Sequence, residues 1–282
     1  MSLDAGLVSK IQKVWDEHLK DTGIFLVLCG SSVGMMERIL EYKNPLYGRR
    51  TGQWKLEPFN IRGISEMFKD RSTEEIIKIY SVFGGVPFYL DIIRKYSVEE
   101  AIKEKVLRKG EVLYEEPEFL LREELREPKV YKLILKGIAL GYDTLGKLAE
   151  FASLERGHLS KYLDTLENLD LIEYILPYGK KKRGKYYIKD NFFNFWFRFV
   201  YPNLSDLELG LVDNVWRKVS KDINSYYGRM FEKLIRDMFK QKIIDLGQIS
   251  VSTWWHKGEE IDIILELPHS MVFIEVKWKE LW

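Results

Sequence analysis

Residues 261–277 read IDIILELPHSMVFIEVK, two apolar runs joined by a short turn. These runs predict two neighbouring strands near the end of the chain. Because successive side chains of a strand point to opposite faces, Asp262 faces away from its apolar neighbours, and Glu275 and Lys277 share a face. The other face of the second strand is expected to point into the core through Val272, Ile274 and Val276.

If these strands pair, the carboxylates of Asp262 and Glu275 converge on one divalent cation, with Lys277 beside them. Carboxylate oxygens are ligands that Mg²⁺ prefers. A bound metal lowers the pKa of a water molecule, and a nearby lysine orients that water and neutralises a phosphate oxygen. Glu232, on a helix that precedes the strands, adds a third carboxylate. The alternative interpretation is an edge hairpin with charges on its solvated face.

A strongly basic hairpin lies upstream of this segment. Two strand-like runs, 172–176 and 186–189, bracket the sequence GKKKRGK at 179–185. Three helix-like segments precede it, and three helices followed by a hairpin are the layout of a winged helix-turn-helix. We predict phosphate contacts from Lys161 of the third helix and from the hairpin residues Lys180, Lys181, Lys182, Arg183 and Lys185. The alternative is a solvated hairpin tip.

The charge pattern places a domain boundary near Pro128. Residues 111–127 hold seven glutamates and two arginines, a net charge of −5. Residues 128–201 hold 13 Lys or Arg and 8 Asp or Glu, a net charge of +5. Opposite charges on adjacent segments indicate separate domains and a locally basic second module.

The pattern of apolar residues in the first part of the chain predicts a helix followed by a buried strand. Apolar residues recur every three or four positions from Val8 to Leu19, which lines one helix face. Residues 24–29 (IFLVLC) are continuously apolar, as in a strand that is covered on both faces of a parallel sheet. Short helices are expected at 61–70 and 73–80, and again after the GGVPFYL segment at 84–90.

Residues 141–148 (GYDTLGKL) come close to the phosphate-binding pattern G-x-x-x-x-G-K-[ST]. The last position is Leu148, which has no hydroxyl group for Mg²⁺. The segment also follows a helix, whereas a phosphate-binding loop of this kind follows a buried strand. We therefore expect a turn between two helices and no tight ATP binding by this chain.

Composition excludes several classes of protein. Of the 282 residues 46% are hydrophobic and 31% charged, which excludes disordered and fibrous chains. A net charge of +1 excludes a globally basic nucleic-acid coat. One cysteine and four scattered histidines exclude a disulfide framework and a zinc cluster, and a reducing, cytoplasmic setting is expected. No segment approaches the roughly 20 apolar residues of a membrane span.

Several blocks of sequence together resemble the archaeal-type ATPases of the AAA+/STAND group. The blocks are FLVLCGSSVGMMERIL at 25–40, PLYGRRT at 45–51, GGVPFYL at 84–90, EEPEFLLREELREP at 115–128 and YYIKDNFFNFWFRFVYP at 186–202. In those proteins a winged helix is followed by a domain similar to the PD-(D/E)xK nucleases. The basic hairpin and the later carboxylates occur here in the same order, so the resemblance covers almost the whole chain.

The resemblance implies nucleotide-related roles for residues in the first part of the chain. Ser31 and Ser32 close a strand similar to sensor 1, where a polar side chain faces the γ-phosphate. Arg49 or Arg50 is similar to the arginine that completes a neighbouring subunit's nucleotide site, which implies a homo-oligomer. The GxP element of the lid, which packs near the nucleotide, is similar to Gly84, Gly85 and Pro87. The structural alternatives are that Ser31 and Ser32 only form a turn at the end of a strand, and that residues 84–87 only break a helix.

The expected fold class is mixed. It comprises the end of an α/β ATPase core at 1–60, a helical lid and acidic linker at 61–127, a winged helix-turn-helix at 128–213 and an incomplete PD-(D/E)xK-like domain at 214–282. The family's Walker A loop and Walker B strand would precede residue 1, so ATP is expected only in the intact parent protein. The ATPase half is then an expected partner, and Mg²⁺ is the cofactor expected here.

The sequence leaves three functions open. The first is a portion of an ATP-driven protein that binds double-stranded DNA and carries a metal-dependent endonuclease site. The second is a non-catalytic DNA-binding or regulatory module whose carboxylates are remnants. The third is a protein-interaction scaffold that uses the aromatic stretch 192–201 as an interface, although equal apolar content suits a core between domains.

Overall fold

The computed structural model describes residues 5–30, 36, 39 and 41–279. The chain divides into two compact units, Met1–Glu57 with Phe119–Pro128, and Pro58–Glu118 with Lys129–Trp282. The four domains expected from the sequence stay a prediction. Within the described ranges, no helix combines the length and the apolar character that a membrane crossing requires.

The first unit begins with helix α1 (Ala5–Val14), which continues as a π-helical turn over Trp15–Leu19. Val8 on this helix packs in a small buried cluster with Ile39 and Leu46. The helix predicted from the apolar spacing of residues 8–19 is therefore confirmed.

The strand predicted at residues 24–29 is wrong. This segment has no regular secondary structure, and its side chains are exposed, Phe25 to 83%. A continuous apolar run forms a strand only where neighbouring strands take up its backbone N–H and C=O groups. No strand in the described part of the chain pairs with it. Apolar character alone therefore did not determine its conformation.

A series of short helices follows along the chain. They are α2 (Ile61–Met67), α3 (Thr73–Phe83), α4 (Pro87–Ile93), α5 (Val98–Ala101), which continues as a π-helix over Ile102–Val106, and α6 (Val112–Glu124). Ser72 and Ser97 each begin a helix with a capping box, in which serine and the glutamate three residues later bond each other's backbone N–H. The helices predicted at 61–70 and 73–80 are confirmed.

Three helices and a hairpin come next. They are α7 (Pro128–Ala139), α8 (Leu145–Ala152), α9 (Arg156–Asn168) and the antiparallel strands β1 (Ile172–Ile175) and β2 (Lys185–Ile188). The Thr144 side chain caps α8 by accepting the N–H of Lys147. Residues 141–144 therefore form the predicted turn between two helices. The elements occur in the predicted order, and their assignment as a winged helix stays a prediction.

The aromatic stretch 192–201 lies in the interior. It forms α10 (Asn191–Phe195), a π-helix (Trp196–Val200) and a 3-10 turn (Tyr201–Asn203). Phe192, Phe195 and Phe197 are fully buried, and the indole N–H of Trp196 donates to the Tyr114 carbonyl at 2.8 Å. Because the rings are inside, this stretch offers no apolar surface of the kind that the scaffold interpretation requires.

The last elements are a long helix and a sheet. Helix α11 (Leu204–Glu208) leads to α12 (Val212–Lys240), and strands β3 (Ser250–His256), β4 (Glu259–Leu267) and β5 (Ser270–Ile274) form an antiparallel sheet in that order. Helix and sheet share a core that contains Phe239, Ile263, Leu265 and Val276. Strands β4 and β5 lie within the segment 261–277 or extend a few residues before it, as the two apolar runs predicted.

Two details of the predicted last strand are wrong. Residues 275–277 follow β5 instead of lying within it. Val272 is 41% exposed instead of pointing into the core. β5 is an edge strand, and nothing among the described residues pairs with its outer side. Of the three residues predicted to point into the core, Ile274 and Val276 contact it and Val272 does not.

Candidate metal and nucleic-acid site

The predicted metal ligands Asp262 and Glu275 lie on neighbouring segments of the sheet. The pairing of β4 with β5 ends at Ile263 and Ile274, one residue short of each predicted ligand. The Asp262 carboxylate accepts the backbone N–H of Val276 at 2.7 Å, which holds Asp262 against the segment that carries Glu275 and Lys277. The register of β4 against β3 shifts at residues 262–263, so the regular alternation of faces does not extend through Asp262.

Lys277 lies next to these carboxylates. Its ammonium group forms an ion pair with Glu275, and both side chains are exposed. The hydrogen bond to Glu275 raises the pKa of Lys277, with smaller contributions from Asp262 and Glu232. Lys277 is therefore positively charged throughout the neutral range, as the predicted role requires.

Glu232 approaches the same site from helix α12. Burial, and next the negative charges of Asp262 and Glu260, raise the pKa of Glu232 to about 7 against the opposing charges of Arg236 and Lys277. The structure thus brings together all four residues predicted as the catalytic set, although three of them carry like charge. Mutual repulsion among carboxylates is an unfavourable energy that a bound cation relieves.

The carboxylates of Asp262 and Glu275 are hard oxygen donors, the chemical type that Mg²⁺ binds. In the described part of the chain, no group of three His, Cys, Asp or Glu residues is arranged to hold a metal ion. Mg²⁺ commonly binds through one or two carboxylates and completes its octahedron with water. Asp262 and Glu275 supply two such oxygen donors, and no softer ligand lies among them.

The basic hairpin tip is largely free. Lys180, Lys181, Lys182 and Arg183 are exposed in the loop between β1 and β2, and no ion pair involves them among the described residues. Lys161 is exposed on α9. Lys185 differs, because its ammonium group lies 3.6 Å from Asp143 and 4.7 Å from the centre of the Trp255 ring. The structure therefore leaves four of the five hairpin cations open to a phosphate backbone.

Of the residues that the resemblance places near a nucleotide, Arg49 and Arg50 both bond neighbouring side chains. Arg49 forms a two-bond ion pair with Asp16, at 2.7 and 2.8 Å, and Arg50 bonds Gln53. Ser31 and Ser32 lie outside the described residues. The Arg49 guanidinium is thus bound within its own unit, by a partner that the sequence interpretation missed.

The GGVP segment forms a tight connection between α3 and α4. Gly84 has a φ of +64°, the left-handed region that favours glycine, and Pro87 begins α4. The carbonyl oxygen of Gly85 accepts the Phe59 N–H at 2.8 Å, and a Cβ atom on Gly85 would overlap the Phe59 carbonyl. The helix-break alternative accounts for these residues without a nucleotide.

Sequence reasoning missed two residues that border the carboxylates. Arg236 is buried one helical turn after Glu232, its Nε has no hydrogen-bond partner among the described residues, and its guanidinium lies over the Tyr187 ring. Thr253 is buried in β3 and bonds the strand that carries Asp262. The spacing of four from Glu232 was the available signal for Arg236, whereas no sequence signal indicated Thr253.

Two family models match separate parts of the chain. Residues 2–93 match an ATPase domain predominantly from Archaea, and residues 196–282 match archaeal and bacterial proteins of unknown function. These matches support a relationship to archaeal ATPase-type proteins. The second match includes Glu232, Asp262, Glu275 and Lys277 and gives no activity for them.

Similar proteins occur in Methanocaldococcus jannaschii. One uncharacterized protein is 37% identical over 285 residues, which cover 98% of this chain and 64% of the relative. A second uncharacterized protein is 53% identical over 32 residues, 11% of this chain and 31% of that protein. The chain thus spans a little under two thirds of the length of the first relative. No solved structure matches the chain.

Proposed function

We propose that this chain is the DNA-associated portion of an archaeal ATPase-type protein and that it hydrolyses DNA phosphodiester bonds with a divalent metal ion. The observation that carries the proposal is the hydrogen bond that holds the Asp262 carboxylate against the segment of Glu275 and Lys277, together with the charges of Asp262 and Lys277 that act on Glu232. A clustered set of oxygen donors next to a charged lysine suits phosphoryl chemistry, because both the phosphate and the attacking water need positive charge.

Each residue of the site has a role in this proposal. Asp262 and Glu275 hold Mg²⁺, which when bound lowers the pKa of a coordinated water. Lys277 orients the water and neutralises a phosphate oxygen. Glu232 supports the two ligands from α12, and its partial burial limits access of bulk water from that side.

DNA binding is assigned to helices α7–α9 and the hairpin β1–β2, which we interpret as a winged helix. Lys180–Arg183 and Lys161 provide sequence-independent phosphate contacts. In the intact protein, ATP bound by the ATPase half would set the position of this DNA-binding half. The match of residues 2–93 to an archaeal ATPase domain supports that arrangement.

The test is nicking of supercoiled plasmid DNA with Mg²⁺ or Mn²⁺. Wild-type protein is expected to nick, and Asp262→Asn and Lys277→Met are expected to lose nicking while retaining DNA affinity. Glu266→Gln, which removes an exposed carboxylate from the same strand, is the matched control and keeps activity. Absence of both metal binding and nicking in the wild type overturns the proposal.

The second candidate is a non-catalytic DNA-binding or regulatory module. The lack of a three-residue metal group among the described residues favours it. It predicts salt-dependent DNA binding that survives Asp262→Asn and falls when Lys180–Arg183 are neutralised, with no nicking by any variant.

A further inference from the structure

The basic hairpin is docked on the edge strand β3. The backbone N–H of Tyr178 donates to the carbonyl oxygen of Thr253 at 2.8 Å. The Tyr178 hydroxyl also lies 4.0 Å from the Met271 sulfur, and Lys185 lies over the Trp255 ring. Tyr178 and Lys185 flank the basic tip, so the tip is anchored to the sheet at both of its ends.

Thr253 makes this contact at an irregular position of the sheet. The pairing of β3 with β4 shifts register between Ser252 and Trp254, where the two β4 residues Asp262 and Ile263 lie opposite Thr253, as in a β-bulge. Because β3 is an edge strand, its outward-facing backbone groups are open to a partner outside the sheet. The Thr253 hydroxyl donates to the Ile261 carbonyl at 3.0 Å. Because Ile261 precedes Asp262, Thr253 is bonded both to the hairpin and to the strand that carries a metal ligand.

The second strand of the hairpin borders helix α12. Burial is the main cause that raises the pKa of Tyr187 on β2, and the charges of Arg236 and Glu260 also act on this side chain. Arg236 and Glu260 act on Glu232 as well. The Arg236 guanidinium lies 6.0 Å from the centre of the Tyr187 ring, and Arg236 follows Glu232 by one helical turn. The hairpin therefore reaches the part of α12 that carries Glu232.

We propose that Thr253 is a positioning residue: by holding the hairpin on β3, it sets where a DNA backbone bound by Lys180–Arg183 lies relative to Asp262. This inference rests on the proposed function. Phosphate contacts at the tip fix the DNA without reading its sequence. Thr253 determines how far the bound phosphates lie from the metal ligands, and a small misplacement there costs rate without costing affinity.

The experiment compares wild type with Thr253→Val, which keeps the carbonyl that holds the hairpin and removes the hydroxyl that ties Thr253 to the strand of Asp262. We expect DNA affinity within about twofold of wild type and a nicking rate at saturating DNA at least about tenfold lower, because the hairpin then moves relative to Asp262. Thr253→Ser, which keeps the hydroxyl, is expected to restore the rate. Ser252→Ala is the matched control, because the Ser252 hydroxyl also bonds a β4 carbonyl, at 3.4 Å, whereas the hairpin bonds the backbone of Thr253 and not that of Ser252. Normal nicking by Thr253→Val, or failure of Thr253→Ser to restore it, overturns the proposal.

A second pair of variants separates positioning from charge. Lys185→Met and Lys181→Met each remove one positive charge, and only Lys185 contacts Trp255. Lys181→Met is expected to weaken DNA binding more than Lys185→Met, because the Lys185 ammonium group already pairs with Asp143, and only Lys185→Met is expected to slow nicking at saturating DNA. Equal nicking rates in the two variants contradict the inference.

A measurement without cleavage distinguishes failure of this inference from failure of the proposed function. Amide hydrogen exchange is followed with a 20-base-pair duplex and Ca²⁺ in place of Mg²⁺. In the wild type we expect added DNA to protect both the hairpin 176–185 and the strand segment 260–265. In Thr253→Val we expect protection of the hairpin alone. If wild type does not nick DNA, the hydrogen-exchange measurement alone tests the inference. Equal protection of both segments in wild type and in Thr253→Val overturns it.

Discussion

Substitution of Glu232 by glutamine should stabilise the protein, and increasingly so as the pH rises. The pKa of Glu232 rises from an ordinary 4.5 to about 7, first by burial and then by the charges of Asp262 and Glu260. The folded protein thus holds this proton more tightly than the unfolded chain does. The associated stability is fully present below about pH 4.5 and is lost as the pH rises through about 7.

The magnitude follows from this pKa. At about 1.4 kcal/mol per pKa unit, ionised Glu232 costs at most about 3.5 kcal/mol, and solvent screening of the partly exposed side chain reduces this to about 1–2 kcal/mol. The assay is urea unfolding of wild type, Glu232→Gln and the exposed control Glu266→Gln between pH 5 and pH 8.5. We expect the difference between Glu232→Gln and wild type to grow with pH and the control difference to stay flat. A Glu232→Gln protein that is less stable than wild type at pH 8 refutes the reasoning.

Three further outcomes are expected. Ca²⁺ should raise the melting temperature more at pH 8 than at pH 6, because the cation offsets the charge of ionised carboxylates, and this gain should vanish in Asp262→Asn; an equal gain in that variant contradicts the assigned ligands. Lys181→Gln with Lys182→Gln should lower the slope of log affinity for duplex DNA against log salt by about 2, as measured by fluorescence anisotropy, whereas the exposed pair Lys10→Gln and Lys13→Gln leaves it unchanged. Gly85→Ala should cost more than about 3 kcal/mol in urea unfolding or prevent folding, since its Cβ would overlap the Phe59 carbonyl, while Gly157→Ala, which has open space around it in α9, should be neutral or stabilising.

The strands that precede and carry Asp262 were predictable from their apolar runs, and β4 and β5 pair as expected. The common face of Asp262 and Glu275 follows from the period of two in a strand and stays a prediction, because β5 ends before Glu275 and β4 shifts register beside Asp262. The solvent exposure of Lys180–Arg183 was also predictable, because four adjacent cationic side chains are almost never buried without charged partners. The predictions for Val272 and for residues 24–29 were wrong because the burial of these residues depends on which other elements cover them.

The sequence alone determined what is local: helix α1 and the caps of α3 and α5, the turn at 141–144 and the strands around Pro268. Only the tertiary structure decided three features. The pKa of Glu232 is raised to about 7, Arg236 is buried one helical turn away, and the Thr253 carbonyl binds the basic hairpin to β3. The physical reason is that dihedral preferences and side-chain periodicity act over a few residues. Desolvation, charge coupling and contacts between distant strands depend on which segments the folded chain brings within a few ångströms.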